Sequence, residues 1–382
     1  MEKADREVMR YATLNLNGES RDEALRGLLA RLLTSNFVQA VLVPKPLADG
    51  SAVVQSLVVD PEQLKDAMPI APTMPVQSAR ILSDLTATPN EGRIAAVLKP
   101  CELRAAVELA KFLQVDLEHV VTIGVDCYGT YEVTDYADMS ADQRAAALQS
   151  LGGDSNDAQA GEMRGACRMC IRPIPIGADL GVGLMSASSD SIPLSVSGRF
   201  ADELAQALSL EITESEPAGR AAAIEALVAK RQEYRDKALG GFAEETASID
   251  GLMGALSACI GCRNCMSVCP ICYCKECVFA STVFDHRPDQ FLSRAKRKGA
   301  LRVPTETLMF HLTRLSHMGT SCVGCGVCES ACPNDVPVSS LFNSLGEKLQ
   351  AMFEYVPGED PAADPPVAVF KEKELVDIAP ND

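Results

Sequence analysis

Residues 259–277 read CIGCRNCMSVCPICYCKEC and hold seven of the chain's fifteen cysteines. Thiolates are soft ligands that select iron–sulfur clusters, zinc or copper(I). A cubane cluster and a structural zinc each take four of them, so seven thiols are not one site. The first four, Cys259, Cys262, Cys265 and Cys269, are spaced x2, x2 and x3 and end in Pro270. The same spacing returns in Cys322, Cys325, Cys328 and Cys332 before Pro333.

That repeated run is the ligand spacing of bacterial two-cluster ferredoxins, in which the fourth cysteine of each run binds the other cluster. One 4Fe-4S cluster is therefore expected on Cys259, Cys262, Cys265 and Cys332. Its mate is expected on Cys322, Cys325, Cys328 and Cys269. Two zinc sites built from CxxC pairs are the competing reading. They leave the third evenly spaced cysteine and the Cys-Pro unexplained, twice. Adjacent cubanes relay electrons rather than make bonds. Cys272, Cys274 and Cys277 are left over, either as part of an extra cluster completed by an outside ligand or as packed, redox-sensitive thiols.

The remaining four cysteines depend on the elements that carry them. Short apolar runs rich in Val and Ile at 38–44, 52–59, 93–99 and 120–126 read as strands. Between the last two, CELRAAVELAKFL (101–113) reads as a helix with Leu103, Val107, Ala110 and Leu113 on one face. Strand, helix, strand is a βαβ unit and implies parallel strands. Cys101 and Cys127 directly follow strands 93–99 and 120–126, so both belong to the carboxyl edge of the sheet, where ligands bind. Cys167 and Cys170 add a CxxC. Four thiolates at one edge make one more cubane or one zinc; equally, Cys101 and Cys127 are small buried hydrophobes.

Residues 93–127, RIAAVLKPCELRAAVELAKFLQVDLEHVVTIGVDC, with CRMC (167–170) and ADLGVG (178–183), resemble the beta-subunit family of deazaflavin-reducing hydrogenases and formate dehydrogenases. The resemblance covers most of 75–190, and the ferredoxin-type module at 259–350 is similar to that of bacterial members. It implies FAD in the α/β domain and a third 4Fe-4S cluster on Cys101, Cys127, Cys167 and Cys170. Lys99, Pro100 and Gly124 match the family's approach to the flavin, and Asp179 and Gly183 match its Ala-Asp segment. It further implies a catalytic partner subunit and a soluble redox carrier. Residues 1–75 carry no usable motif.

The whole chain is expected to be α+β and multi-domain. An α/β domain with a partly parallel sheet is expected over 1–240 and a mostly helical two-cluster ferredoxin-like domain over 241–355. An extended acidic tail, loose or wrapped on a neighbouring subunit, is expected over 356–382. A helix at 219–239 with Ile224, Leu227 and Val228 as its stripe should close the first domain, with Gly240-Gly241 as the boundary. A second helix at 305–319 should bury Leu308, Met309, Leu312 and Leu315 and end on Gly319. The basic run 286–302, with Arg287, Arg294, Lys296, Arg297, Lys298 and Arg302, reads as a docking surface or a solvated face. His119, His286, His311 and His317 lack metal spacing; His311 and His317 read as surface or capping residues.

Composition narrows the function. The net charge of −17 opposes nucleic-acid binding. The first residues lack a signal peptide's apolar core, and no apolar run reaches the roughly 18 residues of a membrane span, so a cytoplasmic protein is expected. No P-loop, GxGxxG, GxSxG or HExxH occurs. The expected function is electron relay between a catalytic oxidoreductase subunit and a flavin-linked carrier. The rivals are a flavin-free iron–sulfur relay, a zinc-stabilised assembly scaffold, and an enzyme acting alone on a nicotinamide.

Overall fold

A computed structural model describes residues 9–88, 92–151, 163–285, 287–300, 306–366 and 368–369. His286, Arg302 and the tail beyond 369 lie outside the described residues.

The strands are β1 (Arg10–Asn15), β2 (Ala40–Pro46), β3 (Val53–Val58), β4 (Ile94–Leu98), β5 (Val120–Val125), β6 (Leu180–Val182) and β7 (Ser191–Val196). They form one seven-stranded sheet in the order β1-β7-β6-β5-β4-β2-β3. Its centre is parallel: β2 pairs with β4, β4 with β5 and β5 with β6, in register Leu42↔Ala96, Val97↔Ile123 and Gly124↔Gly181. β4 and β5 are buried at every position, as strands covered on both faces must be. The flanks are antiparallel, β3 on β2 and β7 on both β6 and β1. The run at 52–59 is thus an edge strand with Leu57 exposed, not a buried one. β1, β6 and β7 add to the four strands expected.

The helix after β4 spans Pro100–Lys111. Pro100 supplies the fixed φ favoured at the first helical position, and the Glu102 carboxylate accepts from the Lys99 amide at 2.9 Å. Its buried residues are Pro100, Leu103, Ala105, Ala106 and Leu109 together with Glu102, Arg104 and Glu108. The expected stripe is therefore corrected: Val107 and Ala110 are half-buried, and Leu113 lies past the helix, 90% exposed with φ +58°. The helix is covered nearly all round because the sheet holds one side and the cysteine-rich module the other.

A long helix runs Arg220–Glu245, straight through Gly240 and Gly241. The glycine pair does not end it; Leu239 and Phe242 are buried on either side and hold the helix across that point. Ile224, Leu227 and Val228 are only half-buried. Arg231 and Arg235 are buried instead, and the Arg235–Glu347 ion pair at 2.9 Å ties the helix to another at Val338–Met352.

The helix Thr307–Met318 is turned from the expected face. Phe310, His311, Arg314, Leu315 and Met318 are buried, whereas Met309 and Leu312 are exposed. His311 is accordingly an interior residue, 1% exposed, and not a surface or capping one. Gly319 caps in the right-handed region, its N–H on the Leu315 carbonyl at 2.7 Å. The described start of the tail folds back on its own chain: the Tyr355 hydroxyl and the Gly358 amide donate to buried Glu108 at 2.6 and 3.0 Å. Among the described residues no helix is long and apolar enough to cross a membrane.

Candidate metal centres

The two ferredoxin-type runs fold alike. Gly261 and Gly324 occupy the same place in each run with φ +71° and +70°, and Arg263 and Gly326 follow at +64° and +70°. A short helix starts after each, Asn264–Ser267 and Val327–Ser330. The left-handed turns curl the backbone so that amides face sulfur: Gly261 toward Cys259, Gly324 toward Cys322 and Val327 toward Cys325.

Cys332 lies among Cys259, Cys262 and Cys265. Cys269 lies among Cys322, Cys325 and Cys328. Each run thus lends its last cysteine to the other group. Burial pushes the thiols of Cys265 and Cys322 up to about 11 and that of Cys325 to about 12. Neutral thiols suit a dry interior, and only a bound metal centre would hold them there as thiolates. Cys262 is the exposed member of the first group. Among the described residues no three Cys, His, Asp or Glu side chains converge on a single-ion site.

The four cysteines of the α/β part also come together. Cys101 faces Cys325, Cys127 and Cys170; Cys127 faces Cys167 and Cys170 as well as the Lys99 ammonium. The carboxyl ends of β4 and β5 supply the first two, and the loop around the turn Gly165–Arg168 supplies the others. Buried arginines pin that loop. Arg231 donates to the carbonyls of Cys170, Cys127 and Tyr128 at 3.2, 3.3 and 2.7 Å. Arg164 donates to Ser330, Thr130 and the Cys325 carbonyl at 2.9, 3.3 and 3.2 Å. Because Cys101 faces Cys325, this third group abuts the second.

Sequence reasoning missed Arg164, Arg231 and Arg314. Arg314 donates from Nη1 to the Cys265 sulfur at 3.2 Å. The available signal was a set of basic residues interleaved with thiols in RGACRMC, and an arginine breaking an apolar helical stripe. Cys272, Cys274 and Cys277 line a cavity of about 500 Å³ with Phe112, Tyr273 and His317. Of these thiols, Cys272 faces Cys269, Arg314 and Cys274.

Of the residues matched to a flavin, Lys99, Pro100 and Gly183 follow the carboxyl ends of β4 and β6, Gly124 lies within β5, and Asp179 precedes β6 at its amino end. Lys99 donates to the Ala71 carbonyl at 2.7 Å, and Pro100 opens the helix beside it. Gly183 follows β6, where a Cβ would stand 3.0 Å from Arg220 Nη1. Gly124 and Asp179 serve the sheet's own packing. A Cβ on Gly124 would stand 2.3 Å from Pro175, and Asp179 accepts from the Thr122 amide and hydroxyl at 2.8 and 2.7 Å. Of this set Lys99 brings an ammonium, already on the Ala71 carbonyl, while Gly124 and Asp179 are taken up within the sheet.

Residues 258–336 match the family model of the 4Fe-4S dicluster domain, a domain of two clusters. Over 371 residues the chain is 26% identical to the F420-dependent formate dehydrogenase subunit beta of Methanocaldococcus jannaschii, covering 90% of this chain and 93% of that one. It is 26% identical over 376 residues to the F420-dependent formate dehydrogenase 1 subunit beta of Methanococcus maripaludis, covering 90% and 92%. A chain in the F420-reducing [NiFe] hydrogenase complex of Methanosarcina barkeri aligns with 65% of this chain and 97% of its own length at 13% identity and a TM-score of 0.45. By sequence, then, this chain is a relative of the beta subunits of F420-dependent formate dehydrogenases, with a 4Fe-4S dicluster domain at its C-terminal side.

Proposed function

We propose that the chain is the electron-transfer beta subunit of a multi-subunit cytoplasmic oxidoreductase. It would relay electrons through 4Fe-4S clusters between a catalytic partner of formate dehydrogenase or hydrogenase type and a flavin-linked soluble carrier. The observation that supports this reading is the succession of three thiol groups, the first two joined through Arg314 and the last two adjoining each other. Arg314 faces both Cys265 of the first group and Cys269 of the second, and Cys325 of the second faces Cys101 of the third.

In this reading Cys259, Cys262, Cys265 and Cys332 hold one cluster and Cys322, Cys325, Cys328 and Cys269 hold its mate. Cys101, Cys127, Cys167 and Cys170 hold a third. FAD would be held by Lys99, Pro100 and Gly183, with Gly124 and Asp179 taken up within the sheet. When bound, the clusters supply one-electron steps and the flavin the exchange between one and two electrons. The protein's part is to bury the thiols, to place cations beside them and to exclude water. Residues 1–240 form the flavin-side domain and 241–355 the dicluster side, with the helix Arg220–Glu245 spanning the junction.

The test is the anaerobic iron, sulfide and flavin content of the protein with its native partners. Three clusters predict about twelve irons with matching sulfide. Zinc without sulfide would make the chain a scaffold. Full iron without flavin would leave a flavin-free relay.

A further inference from the structure

Arg314 is a buried cation that donates directly to sulfur and has no carboxylate partner among the described residues. It is 3% exposed on the helix Thr307–Met318. Nη1 donates to the Cys265 sulfur at 3.2 Å and Nη2 to the Cys265 carbonyl at 3.0 Å. The rings of Phe310 and Phe342 lie 5.5 and 5.1 Å from the guanidinium carbon. Among the described residues it forms no salt bridge to Asp or Glu. Arg314 also lines one cavity with Cys269, Cys322, Cys325 and Cys328 of the second group, and the groups that favour its charge are Cys265, Cys269, Cys328 and Cys272. His311 on the same helix is buried with both ring nitrogens unpartnered, and burial with the nearby Arg314 charge keeps it neutral.

A guanidinium does not lose its proton in a protein, and burying it unpaired is strongly unfavourable. The Cys265 carbonyl and the two ring faces offset part of that cost, and anionic sulfur beside Nη1 would offset more of it. Thiols are neutral, whereas four thiolates on an iron–sulfur core carry net negative charge that grows on reduction. A fixed cation and an N–H···S hydrogen bond favour the more negative state, and so raise the reduction potential. Of the two groups' thiols Arg314 donates to the sulfur of Cys265, and its side chain also hydrogen-bonds Cys272, which belongs to neither group.

We propose that Arg314 is a positioning residue shared by the two dicluster centres, raising the reduction potential of both and that of the Cys265 centre most. This rests on the cluster assignment above. The two motifs thereby act as one electrostatic unit, with a single side chain biasing where an electron resides.

The experiment is an anaerobic redox titration followed by EPR on the purified, iron-replete full chain, comparing Arg314→Gln and Arg314→Lys with the unmutated protein. With Gln, iron and sulfide are expected unchanged. The equilibrium constant for reducing the first centre should fall at least tenfold, about 59 mV for one electron, and the second by a smaller factor. Lys keeps the charge but not the fork, and should recover most of the loss at the second centre and less at the first. A merely structural arginine would leave both potentials unmoved in intact variants, and that result overturns the proposal. If neither variant folds, the unmutated protein labelled with guanidino-15N arginine decides. Pulsed EPR of both reduced centres should show a 15N coupling, and its absence at the first centre counts against Arg314. Protein that binds no iron at all would instead refute the electron-relay reading.

Discussion

Arg164 Nη2 donates to the carbonyl oxygen of Cys325 at 3.2 Å, joining the loop that carries Cys167 and Cys170 to the loop that carries the second ferredoxin-type group. The same guanidinium binds Thr130 and Ser330 and lies 3.8 Å from Glu132. Beneath it the two loops meet so closely that a Cβ on Gly326 would stand 2.2 Å from that of Ala166. The third thiol group is therefore fixed against the second by a hydrogen-bonded cation and by direct backbone approach. Arg164→Leu should keep the volume and lose the donors, stranding the Cys325 carbonyl and leaving the Thr130 and Ser330 hydroxyls only their contacts to the Cys167 sulfur and the Gly326 carbonyl. The expected destabilisation is about 3 kcal/mol, from a buried carbonyl costing roughly 1–3 kcal/mol when unpaired and from the bonds lost at the two hydroxyls. Anaerobic urea unfolding measures it, and a loss under about 0.5 kcal/mol, the size of an ordinary surface change, would contradict it.

The exchange of the fourth cysteines makes a sharper prediction. Cys332 is close to Cys259 and Cys265 although it belongs to the second run. Cys332→Ser should therefore perturb the centre of the first run, the one also perturbed by Cys265→Ser. Cys269→Ser should perturb the centre shared with Cys325→Ser. EPR of the four single variants should sort them into those two pairs. Sorting by run instead would show that each run closes its own site.

What could be read from the sequence followed from local spacing and from rules that tie position to chemistry. The two runs are contiguous, and their x2, x2, x3 spacing is visible without any fold. Cys101 and Cys127 were found indirectly, because parallel strands bring their carboxyl ends to one edge. The faces of the helices were not legible where the site overrides the apolar rule. On Thr307–Met318 the buried row contains Thr307, His311 and Arg314, and the apolar Met309 and Leu312 face outward. A hydrophobic stripe selects the wrong face when a buried cation is wanted beside sulfur, and such conflicts collect at functional sites. The glycine pair at 240–241 misled for a related reason. Its propensity cost of about 1 kcal/mol per glycine is overridden by the burial of Leu239 and Phe242. β6 is three residues long, too short for any periodicity to register.

A pH effect is expected from Asp22, in the first turn of the helix Arg21–Thr34. Burial raises its carboxyl from the usual range to about 6, despite the Ile70 amide and the charges of Arg26 and Lys99, which pull it down. The folded state therefore binds the proton more tightly than the unfolded chain. Its contribution is fully favourable below about pH 4 and is lost as pH rises to about 6. By pH 7 the cost reaches about 3 kcal/mol at 1.36 kcal/mol per unit. Asp22→Asn keeps an acceptor for Ile70 and removes the charge. Its stability relative to the unmutated protein should grow by about 1 kcal/mol between pH 5 and pH 7, read from anaerobic urea midpoints. An unchanged difference would mean that Asp22 is solvated.

Cys101 separates a metal ligand from a packed thiol. Cys101 is half-buried with its thiol near Cys325, Cys127 and Cys170, and its carbonyl accepts from Gln77 at 3.1 Å, so the backbone at this point is held independently of the side chain. Cys101→Ser changes little volume, and the surrounding helix should persist. If Cys101 is a ligand, the variant should lose about four irons and one signal from the low-temperature EPR spectrum, while the signals of the dicluster pair remain. Loss of that one signal should be reproduced by Cys127→Ser, which sits at the end of the neighbouring strand β5, and by Cys167→Ser and Cys170→Ser on the loop. If Cys101 only packs, iron content and spectrum stay as they were, and the serine costs roughly the 1–3 kcal/mol of a buried hydroxyl without a partner. The relay would then end at the second dicluster centre, and the thiols at the sheet edge would have no part in it.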